Sequence, residues 1–195
     1  VENFPVSGQR VNLSLIYGMA QVKKAVAKTN AELGMISEDV AEAIEYACDE
    51  IVAGRFDEQF VTDALQGGAG TTTHMNVNEV VANAALEHMG LPKGRYDVIS
   101  PFNHVNLGQS TNDVYPTALR IAAITKVRLL SDELSALQES LQQKETEFAK
   151  VKKLGRTQLM DALPITLGEE FGAYAKDIGR DRWRIYKVEE RLRQV

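Results

Sequence analysis

The strongest constraint on the fold is a continuous helical pattern over residues 113–151. Its apolar residues recur at the steps of a heptad repeat: Ala123, Val127, Leu130, Leu134, Leu137, Leu141 and Phe148. A repeat of this kind favours left-handed packing of one helix against another. At about 1.5 Å per residue the helix is roughly 55–60 Å long, which is too long for a small compact domain. The pattern therefore predicts partner helices beside it.

A second long helix is predicted near the end of the chain. Thr166 and Glu169 have the spacing of a capping box, which marks a helix start. The apolar stripe that follows contains Leu167, Phe171, Tyr174, Ile178, Ile185, Val188 and Leu192. Gly168, Gly172 and Gly179 cost helix stability, so they indicate a partner helix packed very closely. We expect residues 154–164 to form a turn between the two long helices.

Shorter helices are predicted before the first stripe. Apolar residues from Leu15 to Leu33 recur at mostly helical spacing, and Gly34 is a typical residue for ending such a helix. Ser37 is a good cap for a second helix that Gly54 ends. We expect residues 1–12 to be an extended lead-in, residues 56–65 to be irregular and residues 91–107 to form a loop.

Composition excludes several function classes. The 195 residues carry a net charge of −5 and no basic patch with interleaved aromatics, so we expect no nucleic-acid partner. No apolar run approaches a membrane span and no signal-peptide pattern is present, so we expect a cytoplasmic protein. Cys48 is the only cysteine and lies in an apolar helical pattern, which favours an inert buried thiol. Because the sequence lacks an initial Met and stops within a helical pattern, we expect a fragment.

The first polar motif precedes the long helix. Ser110, Thr111 and Asn112 stand side by side before Asp113, and all four are residues that cap helix starts. Pro116 is tolerated because the N–H groups of a first turn have no helical partner. The simplest interpretation is a cap alone. The alternative is an anion site, since free N–H groups and the helix dipole favour a negative ligand there.

A second polar motif covers residues 66–80 and has three glycines within four positions, Gly67, Gly68 and Gly70. Glycine lets a backbone bend freely and approach a ligand closely. The motif is not a nucleotide P-loop, because no Gly-Lys-Ser/Thr follows. A flexible linker before a capped helix is the simpler interpretation. His88 and His104 lack acidic or cysteine partners at ligand spacing, so we expect no metal site.

Three motifs together are similar to those of the aspartase/fumarase superfamily, and most similar to those of its aspartate ammonia-lyases. They are Gly-Ala-Gly-Thr-Thr-Thr-His-Met-Asn-Val-Asn-Glu-Val, Gly-Gln-Ser-Thr-Asn-Asp, and Gly-Arg-Thr-Gln-Leu-Met-Asp-Ala-Leu-Pro-Ile-Thr-Leu-Gly-Glu-Glu-Phe, in this order. The resemblance implies an all-α fold, with a small helical N-terminal domain over residues 1–109 and the truncated start of a central helical bundle over residues 110–195. It also implies a homotetramer whose active sites each draw on three subunits.

The same resemblance implies a set of substrate-binding residues: Thr71, Ser110, Thr111, Asn112, Thr157 and Gln158. At the position of Gln158, fumarases usually carry His and some aspartases carry Gln, which favours an aspartase. His74 replaces the Asn that is common in its motif. The implied reaction converts L-aspartate to fumarate and ammonia through an aci-carboxylate intermediate, which donors such as hydroxyl groups stabilise. It needs no metal or organic cofactor.

The family's catalytic base is missing from the sequence. In that family it is a serine in a Gly-Ser-Ser loop followed by Met-Pro-x-Lys-x-Asn, and neither segment occurs here. We therefore expect the chain to hold no catalytic base and to be inactive alone. Two alternatives to an aspartase remain: a class II fumarase with the same carboxylate site, and a helical scaffold protein without catalysis.

Overall fold

The computed structural model describes residues 6–194, which form two compact units that meet between Ala122 and Ala123. This boundary lies inside a single long helix. The predicted all-α class is confirmed, with one two-stranded sheet as the only β-sheet of the described residues. The predicted domain boundary after residue 109 stays a prediction. Part of the predicted lead-in, residues 1–5, lies outside the described residues.

The first unit is built from helices joined by short loops. They are α1 (Leu13–Glu32), α2 (Glu38–Val52), α3 (Thr71–His88) and the first turns of α4 (Thr111–Glu147), with a 3-10 turn at Asp57–Gln59 and a π-helical turn at Pro101–Val105. As predicted, Ser37 precedes α2, and Gly34 and Gly54 follow α1 and α2 with φ of +69° and +82°. Those left-handed conformations are cheap only for glycine. The local sequence signals thus place both helix ends.

The core of the first unit lies between α1, α2 and α3. Ile16 and Met19 of α1, Ile44 of α2 and Val77 of α3 are all buried in it. Helix α1 also approaches α4 closely, because a Cβ on Gly18 would lie 2.6 Å from the carbonyl oxygen of Ala118. Only glycine permits backbone packing at that distance. The start of α4 is therefore held against the core.

Helix α3 begins directly after the glycine-rich loop. Gly70, the residue before its first turn, has φ of +86°, and the ring of Tyr115 occupies the space that a Cβ would need. The loop is therefore more than a linker, because its last glycine lets the start of α3 pack against the start of α4. This contact brings two of the predicted polar motifs together.

The second unit contains the rest of α4, two strands and α5 (Leu167–Leu192). The predicted turn over residues 154–164 is wrong: β1 (Lys152–Thr157) and β2 (Met160–Thr166) form an antiparallel hairpin. Its two turn residues, Gln158 and Leu159, have φ of +48° and +64°. A two-residue hairpin loop adopts this left-handed geometry because it matches the twist of the strands.

Helix α5 starts as predicted and packs tightly on α4. The hydroxyl of Thr166 accepts the N–H of Glu169 at 3.0 Å, and the Glu169 carboxylate accepts the N–H of Thr166 at 2.7 Å. A Cβ on Gly168 would lie 2.5 Å from the carbonyl oxygen of Glu145, and Gly172 faces the carboxylate of the same residue. The predicted close partner of these glycines is therefore α4.

A substitution at Gly70 tests the contact between the starts of α3 and α4. Both Gly70→Ala and Gly90→Ala place a side chain at positive φ, but nothing lies within 4 Å of the Gly90 position. We expect Gly90→Ala to cost about 1 kcal/mol of unfolding free energy, and Gly70→Ala to cost clearly more because Tyr115 must move. Urea unfolding followed by circular dichroism measures both. Equal losses would contradict the close contact.

Candidate active site

The start of α4 carries three of the predicted substrate-binding residues. The Ser110 hydroxyl oxygen accepts the N–H of Asn112 at 3.2 Å, and the Ser110 carbonyl accepts the N–H of Val114 at 3.0 Å. Ser110 is therefore the cap of this helix, and its hydroxyl proton can be donated to another group. Ser110 and Asn112 are exposed and Thr111 is half-buried. Their arrangement offers hydroxyl, amide and backbone donors at the positive end of a helix dipole.

The start of α3 carries Thr71, whose hydroxyl donates to the carbonyl of Gly68 at 2.7 Å. Its oxygen can still accept a hydrogen bond. The cap of α3 is Gln66, which sequence reasoning missed: its side-chain oxygen accepts the N–H of Thr73 at 3.0 Å and its amide donates to the Thr73 hydroxyl at 2.8 Å. A glutamine so far ahead of a helix is not a standard capping signal, so the pattern could not indicate it.

His74 connects the two helix starts. Its side chain is fully buried, and its Nδ1 lies 2.8 Å from the hydroxyl oxygen of Thr111. Its Nε2 lies 2.5 Å from Nζ of Lys23. The residue that departs from the family motif therefore holds a predicted substrate-binding hydroxyl on one side and a buried lysine on the other.

Lys23 is the main residue that sequence reasoning missed. It lies on α1 with no exposed surface, and besides His74 it donates to Oε1 of Gln109 at 2.7 Å and to Oδ1 of Asn106 at 3.1 Å. The sequence offers one signal that Lys23 is buried: it lies four residues after Met19 and four before Ala27, and both of these residues are buried. A lysine on that face of a helix must have buried partners.

Burial shifts the protonation of these groups. It lowers the pKa of Lys23 to about 7 and, together with the neighbouring Lys23 charge, lowers the pKa of His74 to about 4. His74 is therefore neutral near pH 7. Burial also raises the pKa of the Cys48 thiol to about 12, since an apolar environment disfavours a thiolate. Cys48 is a buried thiol, as predicted.

Thr157 and Gln158 lie together at the turn of the hairpin in the second unit. Both are exposed, and the Thr157 hydroxyl donates to Oε1 of Gln158 at 3.3 Å. Gln158 and Leu159 adopt positive φ, and the Leu159 side chain is 95 % exposed. These angles are the ordinary ones of a two-residue hairpin turn, and they leave the side chains of Thr157 and Gln158 accessible.

Two negative observations concern residues 6–194 only. No group of three or more His, Cys, Asp or Glu side chains among them is arranged to hold a metal ion. His88 stacks on the ring of Tyr46, and Nδ1 of His104 accepts the N–H of Ser100 at 2.8 Å. None of the helices in this part of the chain is long and apolar enough to span a membrane.

The family model described as "Lyase" matches residues 1–195. The chain therefore belongs to the lyase family, and its similarity to the aspartase/fumarase superfamily is confirmed. Among curated relatives, the aspartate ammonia-lyase of a Bacillus species is 46 % identical over 194 residues, which are 100 % of this chain and 42 % of the relative. The chain thus spans less than half the length of that relative.

Two solved structures have folds and sequences similar to those of this chain. The fumarate lyase:delta crystallin from Brucella melitensis in native form is 48 % identical with a TM-score of 0.97, over 100 % of this chain and 46 % of its own. The recombinant class II fumarase from Schistosoma mansoni is 35 % identical with a TM-score of 0.89, over 98 % of this chain and 40 % of its own. A class II fumarase therefore shares this fold, while the aspartate ammonia-lyases are relatives by sequence.

The lowered pKa of His74 predicts a pH-dependent stability. In the unfolded chain the pKa of His74 has the ordinary histidine value of 6.5, whereas in the folded chain it is about 4. The unfolded state therefore binds more protons in this range, and stability falls as the pH falls through it, by about 3 kcal/mol for this residue. Urea unfolding at about pH 7 and at about pH 4.5, near the two ends of this pH range, measures the loss of unfolding free energy.

The control for this pH-dependence measurement is His74→Asn, which removes the titrating group but keeps a polar side chain. Carboxylates also titrate at low pH, so the relevant quantity is the difference between the two proteins. We expect the variant to lose clearly less stability on acidification than the parent chain. An identical loss in both would mean that His74 titrates normally in the folded protein.

Proposed function

We propose that this chain is the N-terminal part of a cytoplasmic aspartate ammonia-lyase, which converts L-aspartate to fumarate and ammonia. The observation that carries the proposal is the paired hydroxyl groups of Ser110 and Thr111 at the start of α4, the second of them held by buried His74 at 2.8 Å. A fixed donor pair at a helix N-terminus suits a carboxylate ligand. Several aspartate ammonia-lyases that are 44–48 % identical support this choice.

In the proposed reaction, a base removes a proton from the carbon next to the β-carboxylate, and the electron pair moves into that carboxylate. The resulting aci-carboxylate carries two negative charges. Ser110 and Thr111 donate hydrogen bonds to its oxygens, and the α4 dipole adds to their effect as the charge grows. When the intermediate collapses, the bond between carbon and nitrogen breaks in the anti sense, leaving fumarate and ammonia.

The remaining predicted residues have roles that fit neutral polar groups. Asn112 and Gln158 can bind the amine or the second carboxylate without adding charge. Thr71 and Thr157 supply hydroxyl oxygens that accept or donate. The catalytic base is not among these residues, and we propose that the longer protein supplies it, since the Bacillus relative extends to more than twice this chain's matched length.

A class II fumarase is the second candidate, because the Schistosoma mansoni fumarase has a TM-score of 0.89 to this chain. The same carboxylate site would serve malate, with water leaving in place of ammonia. Gln158 favours the ammonia-lyase, since histidine is usual at this position in fumarases. A scaffold protein is the weakest candidate because it has no use for the buried link between Thr111 and Lys23.

An assay of the full-length protein, meaning the protein at the length of its relatives, separates these candidates. We expect it to produce fumarate from L-aspartate and to do so far more slowly from malate. The purified 195-residue chain is the control, and we expect it to be inactive because the base is absent. Turnover of malate without aspartate would identify a fumarase, and no turnover of either would support the scaffold.

We also propose that the full-length protein is a homotetramer assembled through its long helices. Several large apolar side chains of the second unit are exposed: Leu130, Leu137, Tyr174, Trp183, Tyr186 and Val188. Trp183 and Tyr186 are 65 % and 68 % exposed. Apolar patches larger than a few hundred Å² are rare on monomers, and covering them yields about 25 cal/mol per Å².

Light scattering of the 195-residue chain across a dilution series tests this assembly. We expect dimers or tetramers at micromolar concentration, and we expect Leu137→Lys to weaken them because it places a charge in the apolar stripe. Gln142→Lys is the matched control, since it adds the same charge at an exposed polar position of α4. A well-folded monomer at every concentration would contradict the proposal.

A further inference from the structure

The buried ammonium group of Lys23 has three hydrogen-bond acceptors around it. Nε2 of His74 lies at 2.5 Å, Oε1 of Gln109 at 2.7 Å and Oδ1 of Asn106 at 3.1 Å. A lysine ammonium has three protons to donate and no capacity to accept. The number of acceptors therefore matches the charged form of the group, and His74 Nε2 must present its lone pair to it.

This contact fixes the proton of the His74 ring. A neutral imidazole carries one proton, and when Nε2 accepts from Lys23 that proton sits on Nδ1. Nδ1 then donates to the hydroxyl oxygen of Thr111, 2.8 Å away. The Thr111 hydroxyl, which accepts this bond, has its own proton free to point away from the ring. With the other tautomer, Thr111 would donate to the ring and its proton would be unavailable to a ligand.

The charge of Lys23 also has no carboxylate partner among the described residues, because its three contacts are all to neutral groups. Cys48 does not supply a counter-charge either, because burial raises its pKa and keeps it an uncharged thiol. The contact that leads from Lys23 to a predicted substrate-binding hydroxyl runs through His74 to Thr111.

We propose that Lys23, acting through His74, is a positioning residue that turns the Thr111 hydroxyl toward a carboxylate bound at the start of α4. The proposal rests on the proposed carboxylate site of Ser110 and Thr111 and deepens it. Lys23 does not touch the substrate. It sets the direction of one donor, the Thr111 hydroxyl, through its contact with His74.

The first test reads the tautomer of His74 directly, by ¹⁵N NMR of the histidine-labelled chain at about pH 6, between the lowered pKa values of His74 and Lys23. We expect a protonated-type shift at Nδ1 and an unprotonated-type shift at Nε2. A proton on Nε2, or on both nitrogens, would overturn the proposal. This measurement needs neither a variant nor catalytic activity, so it stands even if the proposed reaction is wrong.

The second test is a double-mutant cycle in the full-length protein with L-aspartate as substrate. Lys23→Met removes the ammonium and keeps most of the apolar stem, and Thr111→Ala removes the hydroxyl. We expect each to lower kcat/KM about ten-fold or more, the size of a lost charge-assisted hydrogen bond. We expect the double variant to be no worse than Thr111→Ala alone, because Lys23 acts only through that hydroxyl.

Lys24→Met is the matched control, since Lys24 is the next residue of α1, is partly exposed and pairs with Asp49 at 2.6 Å. We expect its kcat/KM to be unchanged. If the losses from Lys23→Met and Thr111→Ala multiply in the double variant, or if Lys23→Met has no effect, the positioning role is wrong. If the unmodified full-length protein does not convert aspartate, the proposed function fails, and the NMR result still decides the Lys23–His74 contact.

Discussion

The buried ammonium of Lys23 is the interaction on which the candidate site depends. It joins three separate parts of the first unit. Lys23 itself lies on α1, and its acceptors lie on α3 and in the segment just before α4. A buried charge is costly unless its hydrogen-bonding capacity is filled. The segment that ends in Ser110 and Thr111 is therefore fixed by the need to satisfy Lys23, as well as by apolar packing.

Glycines provide the space for this arrangement. Gly70 lets the start of α3 lie against Tyr115, and Gly18 lets α1 approach Ala118 of α4. Two helix N-termini are thus brought side by side, and His74 links Thr111 at the start of α4 to the buried Lys23. In the proposed function, a bound dicarboxylate supplies negative charge at these positive helix ends.

Local signals in the sequence predict most of the helix ends. They predict neither the hairpin nor the buried contacts of Lys23. Some helix ends are set by interactions within a few residues and can therefore be predicted from the sequence alone. Examples are those at Gly34, at Gly54 and at the Thr166–Glu169 capping box. Gln158 and Leu159 carry no Asn-Gly signal for a hairpin turn, so β1 and β2 were not expected. Lys23 finds two of its acceptors 83 and 86 residues further along the chain, a pairing that periodicity cannot indicate. The motif at residues 110–112 located the start of α4, whereas its ligand stays a prediction.

The most direct test of this account is a crystal structure of the full-length protein with succinate, a dicarboxylate that has no amine to lose and so cannot react. The account predicts one succinate carboxylate within hydrogen-bonding distance of the Ser110 and Thr111 hydroxyl groups, with the contacts from Lys23 through His74 to Thr111 intact. Succinate bound elsewhere at saturating concentration, with the start of α4 left empty, would contradict it.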